Sequence, residues 1–175
     1  GVISGQGYFN KAGSGTLTLT GNNTLSNFNV YKGTLAVSGS LPDTSDVFIS
    51  SGATYRLEAN DTIGGLWGSG NVNLSHLGND HDLTVGANDD TSSFSGVISG
   101  SGGLIKIGDG IFTLKGDNTY TGATSITGGT LKISGVPNNT SNINVDSSAL
   151  LEFDTSAANR TYSGVISGVG SLRKV

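Results

Sequence analysis

Apolar residues in this chain fall on every second position, in runs too short for a helix: Leu17/Leu19, Leu35/Val37, Val47/Ile49, Tyr55/Leu57, Val72/Leu74, Leu83/Val85, Phe112/Leu114, Leu131/Ile133, Ile143/Val145 and Leu151/Phe153. A period of two is the pattern of a strand with one buried face, and the Thr, Ser, Lys and Asn between the apolar positions suit the wet face. Each run stops at Gly, Asn or Asp, residues that tolerate turn conformations. With 29 glycines in 175 residues, a helical domain is disfavoured throughout. The expectation is an all-β chain with almost no helix.

The runs are organised by a long internal repeat, which constrains architecture more strongly than local propensity does. Residues 13–25, GSGTLTLTGNNTL, match residues 108–120, GDGIFTLKGDNTY. Residues 33–39, GTLAVSG, match 129–135, GTLKISG, and Leu41-Pro42-Asp43 falls on Val136-Pro137-Asn138. The five residues GVISG open the chain and return at 96–100 and 164–168, with Gly65-Leu66-Trp67-Gly68 as a disguised instance. These glycines read as corners where one layer passes close over the next. Val97 and Ile98 read as a strand, and Trp67 is expected to pack inward.

Two all-β architectures take runs this short: a sandwich of antiparallel hairpins, or a parallel β-helix whose rungs are about 20 residues long. Hairpins are signalled by tight Asn-Gly or Asp-Gly turns between matched runs. Asn-Gly is absent here and Asp109-Gly110 is the single Asp-Gly. The spacing therefore favours a solenoid of about eight or nine rungs, roughly 40 Å long, aliphatic inside and with Thr and Asn stacked outside or at the corners.

Residues 96–135, GVISGSGGLIKIGDGIFTLKGDNTYTGATSITGGTLKISG, resemble the passenger-associated transport repeat, also called the autotransporter-associated β-strand repeat. Residues 1–39 look like a diverged copy, in which NTYTGAT is replaced by a shorter stretch running from Asn23 to Phe28, and residues 161–175 look like the opening of a third. The resemblance implies a right-handed, single-stranded parallel β-helix belonging to the passenger of a bacterial autotransporter, exported by the type V route through the parent's own C-terminal outer-membrane β-barrel. It implies a cell-surface or secreted location and a structural stalk role supporting secretion, folding and display of a virulence factor. It supplies no catalytic residues and no cofactor. The whole of 1–175 is expected to be one β-helix segment of a longer passenger, with copies at 1–62 and 96–163, a third starting at 164, and divergent rungs over 63–95. The start at Gly1, without Met, fits a mature piece.

Other functions find little purchase. A formal charge of -4 with scattered basic residues gives no footprint for nucleic acid. Without Cys there are neither disulfides nor thiolate metal sites. The GxG pairs lack the third glycine and following helix of a dinucleotide fingerprint, and Gly108-Asp109-Gly110 lacks the tandem nine-residue copies of a calcium roll. No GxSxG elbow occurs. Glu152 and Asp154 share a strand face that a glycosidase or lyase could use, although such pairs are more often a wet surface. The densest group of ligand-type side chains is His76, Asp80, His81 and Asp82, a candidate binding loop whose spacing fits no zinc or calcium motif. The chain is expected to be non-enzymatic and free of metal. An alternative is an adhesin-like module contacting a host receptor or glycan, and the rod ends suggest end-to-end self-association.

Overall fold

The computed structural model describes residues 1–5, 7–135, 141–156, 159 and 161–175. Regular structure among them is entirely strand, coiled into a parallel β-solenoid of about eight turns. Three faces run along the rod: one of nine strands, one of five and one of six. The nine-stranded face contains Tyr8–Lys11, Asn27–Val30, Asp46–Ile49, Gly65–Gly68, Ser92–Phe94, Ile111–Leu114, Thr130–Ile133, Leu150–Phe153 and Ser171–Lys174, each opening a rung. The counterpart stretch Val136-Pro137-Asn138 lies outside the described residues.

Register explains why period two works. Phe28 pairs with Phe9 and Val47, and Val47 pairs with Leu66, so the inward positions form one apolar column. Phe28, Val47, Leu66, Leu35, Tyr55 and Val72 are fully buried. Each such side chain gains about 1.5–3 kcal/mol from leaving water, and it does so only when a neighbouring rung lies above or below it. Trp67 departs from expectation. Pairing places it opposite Phe48, on the outside of the nine-stranded face, while Leu66 takes the inward place. The alternation fixes this: only one of two successive residues can point inward.

The first three rungs advance by 19 residues each, as the pairs Tyr8/Asn27, Asn27/Asp46 and Asp46/Gly65 show. The fourth rung is longer: Gly68 pairs with Phe94, 26 residues on. Val72 to Thr84 occupies twelve residues where Tyr55 to Thr62, directly beneath, needs seven. The extra five form an antiparallel hairpin, Ser75–His76 against Asn79–Asp80, that leaves the solenoid. Its turn is Leu77-Gly78, both with positive φ, 52° and 79°. This is the tight-turn conformation for which Asn-Gly is the usual sequence, so a Leu in the first position hid it.

Between copies, the repeated motif does not stack on itself. Thr16–Leu19 lies in the five-stranded face and its counterpart Ile111–Leu114 in the nine-stranded face. The GVISG-like passages Gly65–Gly68, Val97–Ser99 and Ile166–Gly168 occupy the nine-, five- and six-stranded faces respectively. Each recurrence has moved one face around the rod.

Where a copy has no strand on one face, an Asn-Thr pair closes the rung. Asn118 Oδ1 accepts the Ile98 N–H at 2.9 Å, and the Thr119 N–H donates to the Ile98 carbonyl at 2.9 Å. Asn23 and Thr24 treat Ile3 the same way, at 3.0 and 3.0 Å. Both asparagines are buried, and each returns its amide to the glycine carbonyl two residues earlier. The side chain thus supplies the pairing that a strand would have given.

The corners are glycine stacked on glycine. A Cβ on Gly96 would lie 1.8 Å from the Gly70 carbonyl oxygen, and one on Gly116 would lie 1.8 Å from that of Gly96. The last glycine of the same motif does different work: Gly68, Gly100 and Gly168 have φ of 100°, 107° and 110°. Gly116→Ala should therefore cost at least about 3 kcal/mol in chemical denaturation, because the colliding atom is backbone and cannot swing away. Gly13→Ala, where an added Cβ meets nothing within 4 Å, is the matched control and should change stability by less than about 0.5 kcal/mol.

Candidate functional site

The hairpin of the fourth rung and the two residues that follow it contain the four residues singled out by sequence, and the structure disperses rather than gathers them. His76 Nε2 lies 3.4 Å from Glu58 Oε1 on the rung below. The Ser101 hydroxyl, on the rung above, donates to Asp80. Asp82 Oδ1 accepts the Gly103 N–H at 2.7 Å, while its own N–H donates to Asn60 Oδ1 at 2.9 Å. The His81 N–H donates to the Leu74 carbonyl at 2.8 Å, closing the base of the hairpin. Three of these side chains thus tie the insertion to its neighbours above and below. Among the described residues no three His, Asp or Glu side chains form a group that could hold a metal ion. The tip itself is apolar, with Leu77 86% exposed.

Glu152 and Asp154 do share a face, as their spacing requires, and both are engaged by cations. In-register pairing puts Lys132, Glu152 and Arg173 in one outward column. Lys132 Nζ lies 3.1 Å from Glu152 Oε1 and 3.0 Å from Asp154 Oδ2, and Arg173 Nε donates to Glu152 Oε2 at 2.7 Å. The Arg173 hydrogen bond, with Lys132, holds the Glu152 carboxyl below its ordinary range. The Ser156 hydroxyl and Lys132 hold Asp154 down at about 2. General-acid work needs a carboxyl whose pKa is raised, so this pair is set for ionic stacking between rungs.

The group with a raised pKa was not visible in the sequence. Asp61 opens a strand of the six-stranded face and is 4% exposed. Tyr55 donates to Asp61 Oδ2 at 2.5 Å, and the Leu41 and Thr62 N–H groups donate to Oδ1 at 3.2 and 3.1 Å. Burial raises the Asp61 carboxyl to about 6 despite these three hydrogen bonds. Burial also pushes the Tyr55 phenol well above its usual value. The alternation could have placed Tyr55 inside, but nothing local said that a carboxylate six residues on would meet it.

Two buried lysines have the same kind of role. Lys106 Nζ reaches the carbonyls of Ile107, Gly108 and, one rung on, Gly128, at 2.6, 2.9 and 3.3 Å. Lys11 reaches Gly13 and, at 3.0 Å, Lys32. Burial lowers the Lys106 pKa, opposed by Asp89 and Asp109. Each ammonium gathers corner carbonyls that have no strand to pair with.

Fold and surroundings together define a parallel β-solenoid whose polar side chains chiefly join rung to rung. The family model for the Passenger-associated-transport-repeat matches residues 9–37 and 104–133. Along 97% of its length the chain is similar to the Adhesin BmaC autotransporter of Brucella suis biovar 1 (strain 1330), at 34% identity over 178 residues, which is 5% of that protein. It is also 44% identical over 75 residues, 43% of the chain, to the Neisserial autotransporter lipoprotein NalP of Neisseria meningitidis serogroup B, covering 7% of it. No solved structure matches. The chain thus carries two copies of the passenger-associated transport repeat and resembles autotransporters along nearly its whole length, as a cell-surface or secreted passenger segment does. It spans about a twentieth of the length of the BmaC relative.

The buried carboxyl supplies a test of this packing. The folded chain holds the Asp61 proton up to about pH 6, whereas an unfolded aspartate releases it near pH 4. The folded state thus binds more protons between those values, so the contribution of Asp61 to stability is complete below about pH 4 and lost as pH rises through about 6. Asp61→Asn should remove that dependence. In urea titrations from pH 4 to 8, the stability difference should shift in favour of the variant by about 3 kcal/mol.

Proposed function

We propose that this chain is a non-catalytic stalk segment of an autotransporter passenger, supporting secretion, folding and surface display of its parent virulence factor, with the parent's own C-terminal outer-membrane barrel as its partner in export. The observation that carries this reading is the pairing pattern. Apart from the hairpin, strand pairing among the described residues joins neighbouring rungs in parallel. A chain built this way folds by adding one rung to the last, and each addition buries the exposed column of the rung before it. Folding outside the cell can then draw the remaining chain outward without ATP. The absence of cysteine keeps the unfolded chain free of cross-links before it emerges. The relatives are autotransporters, which supports the same route.

A second reading, contact with a host receptor or glycan, is favoured by the hairpin. Leu77 holds an apolar side chain in water and in a backbone conformation that a branched aliphatic residue rarely takes. Neither property helps the rod, and one relative is named an adhesin. The repeat division at 1–62, 96–163 and 164–175 and end-to-end stacking of fragments belong to the proposal as well.

Two experiments separate the readings. Removing residues 96–163 from the full parent should lower surface display measured by antibody labelling of intact cells. Unchanged display would defeat the stalk role. Removing residues 76–80 restores the spacing of the rung beneath and should leave unfolding free energy within about 1 kcal/mol of the wild type. If the hairpin is the contact element, that deletion abolishes binding of the fragment to host cells; no binding by either form removes the second reading, and binding retained after the deletion removes the hairpin as its site.

A further inference from the structure

The outward column of the nine-stranded face changes character in its middle. It begins with Asn10 and Asn29, whose amides are hydrogen-bonded at 2.9 Å, and ends with Lys132, Glu152 and Arg173. Between them stand Phe48 and Trp67, paired in register, with Tyr31 beside them. Tyr31 and Phe48 are 44% and 38% exposed, their rings 6.3 Å apart and inclined at 56°. These rings add nothing to the core, since Val47, Ile49 and Leu66 already fill the inward positions without exposure. Three rings on three successive rungs therefore offer apolar surface to solvent, at about 4.8 Å of rise per rung.

Polar groups border this surface. A Cβ on Gly65 would lie 2.6 Å from Asp46 Oδ1 and 2.8 Å from Trp67 Nε1, so the carboxylate and the indole nitrogen both flank the bare Gly65 backbone. Asn88 Nδ2 donates to Asp46 Oδ1 at 3.2 Å and to Asp90 Oδ2 at 3.0 Å. These bonds use one oxygen of each carboxylate, which has acceptor capacity left.

We infer that Tyr31, Phe48 and Trp67, bordered by Asp46, Asn88 and Asp90, form a binding surface for a neutral oligosaccharide running along the rod. A sugar ring has one face of C–H groups and a rim of hydroxyls, which fits flat aromatic surfaces rimmed by carboxylate, amide and N–H. The rise per rung is comparable to the length of one sugar unit. A protein partner would need a larger continuous apolar patch with its charges removed to the edge, whereas here the Asp46 carboxylate and the indole nitrogen flank the same glycine. The same carboxylates repel an anionic chain. This site lies apart from the hairpin and depends on neither reading of overall function.

Trp67 is the sole tryptophan, so its fluorescence reports from the site itself. The fragment is titrated with a panel of linear neutral hexose and N-acetylhexosamine oligosaccharides, with oligogalacturonate and heparin fragments as anionic probes and an apolar dye as a control. At least one neutral oligosaccharide should shift the emission saturably, and Tyr31→Ala and Phe48→Ala should each weaken that binding at least about fivefold. Both side chains point outward, so their variants should keep the wild-type circular dichroism and unfolding midpoint. A panel without any response overturns the proposal, as does affinity within twofold of wild type in both variants. Tighter binding of the anionic probes overturns the neutral class. A dye response without any sugar response identifies an ordinary apolar contact patch and overturns it too.

Discussion

Each rung must lie one strand spacing above the last, and at the corners this brings backbone against backbone with no room for a side chain. Gly70, Gly96 and Gly116 meet in this way, each an obstacle to any Cβ on the next. The stacking of strands and the closed apolar column both depend on those contacts. A side chain there would lift one rung off another, breaking several hydrogen bonds and exposing every inward residue at that level. The cost of glycine's flexibility in the unfolded chain is offset by burial on both sides of each rung.

Polar chemistry inside the rod answers a second need of the same geometry. Coiling leaves carbonyls and N–H groups at corners without strand partners, and such groups are costly when buried unpaired. Asn23 and Asn118 complete the pairing of an isoleucine backbone, Lys11 and Lys106 collect carbonyls, and Asp61 receives two N–H groups and a phenol. The Lys132–Glu152–Arg173 column joins three rungs on the outside. What looks like scattered candidate chemistry along the sequence is largely a set of connections between layers.

Much of the architecture was legible because alternation, glycine boundaries and a long repeat all report local conditions. Leu17/Leu19 and Phe112/Leu114 announce strands wherever they end up. Which face receives them depends on the length spent around the coil, and residues that leave it, as in the five-residue hairpin, conceal that count in the sequence. The Leu77-Gly78 turn was hidden because its conformation is usually signalled by asparagine. Trp67 was misplaced because GLWG was aligned to GVIS residue by residue, while the register of its own rung turned the ring outward. The Asp61–Tyr55 contact required knowing which side chains share an interior. Of the candidate loop, the sequence identified the right segment as irregular, but the orientations of His76, Asp80 and Asp82 follow from the rungs above and below.

The movement of the motif from face to face has an immunological consequence. A sequence that repeats would ordinarily present one epitope at regular intervals along one side of a fibre, an arrangement suited to capture by both arms of a single antibody. Here the GVISG-like passages look out in different directions, and the residues stacked beside each passage differ as well. The chain repeats what its interior requires while its surface presents few identical views.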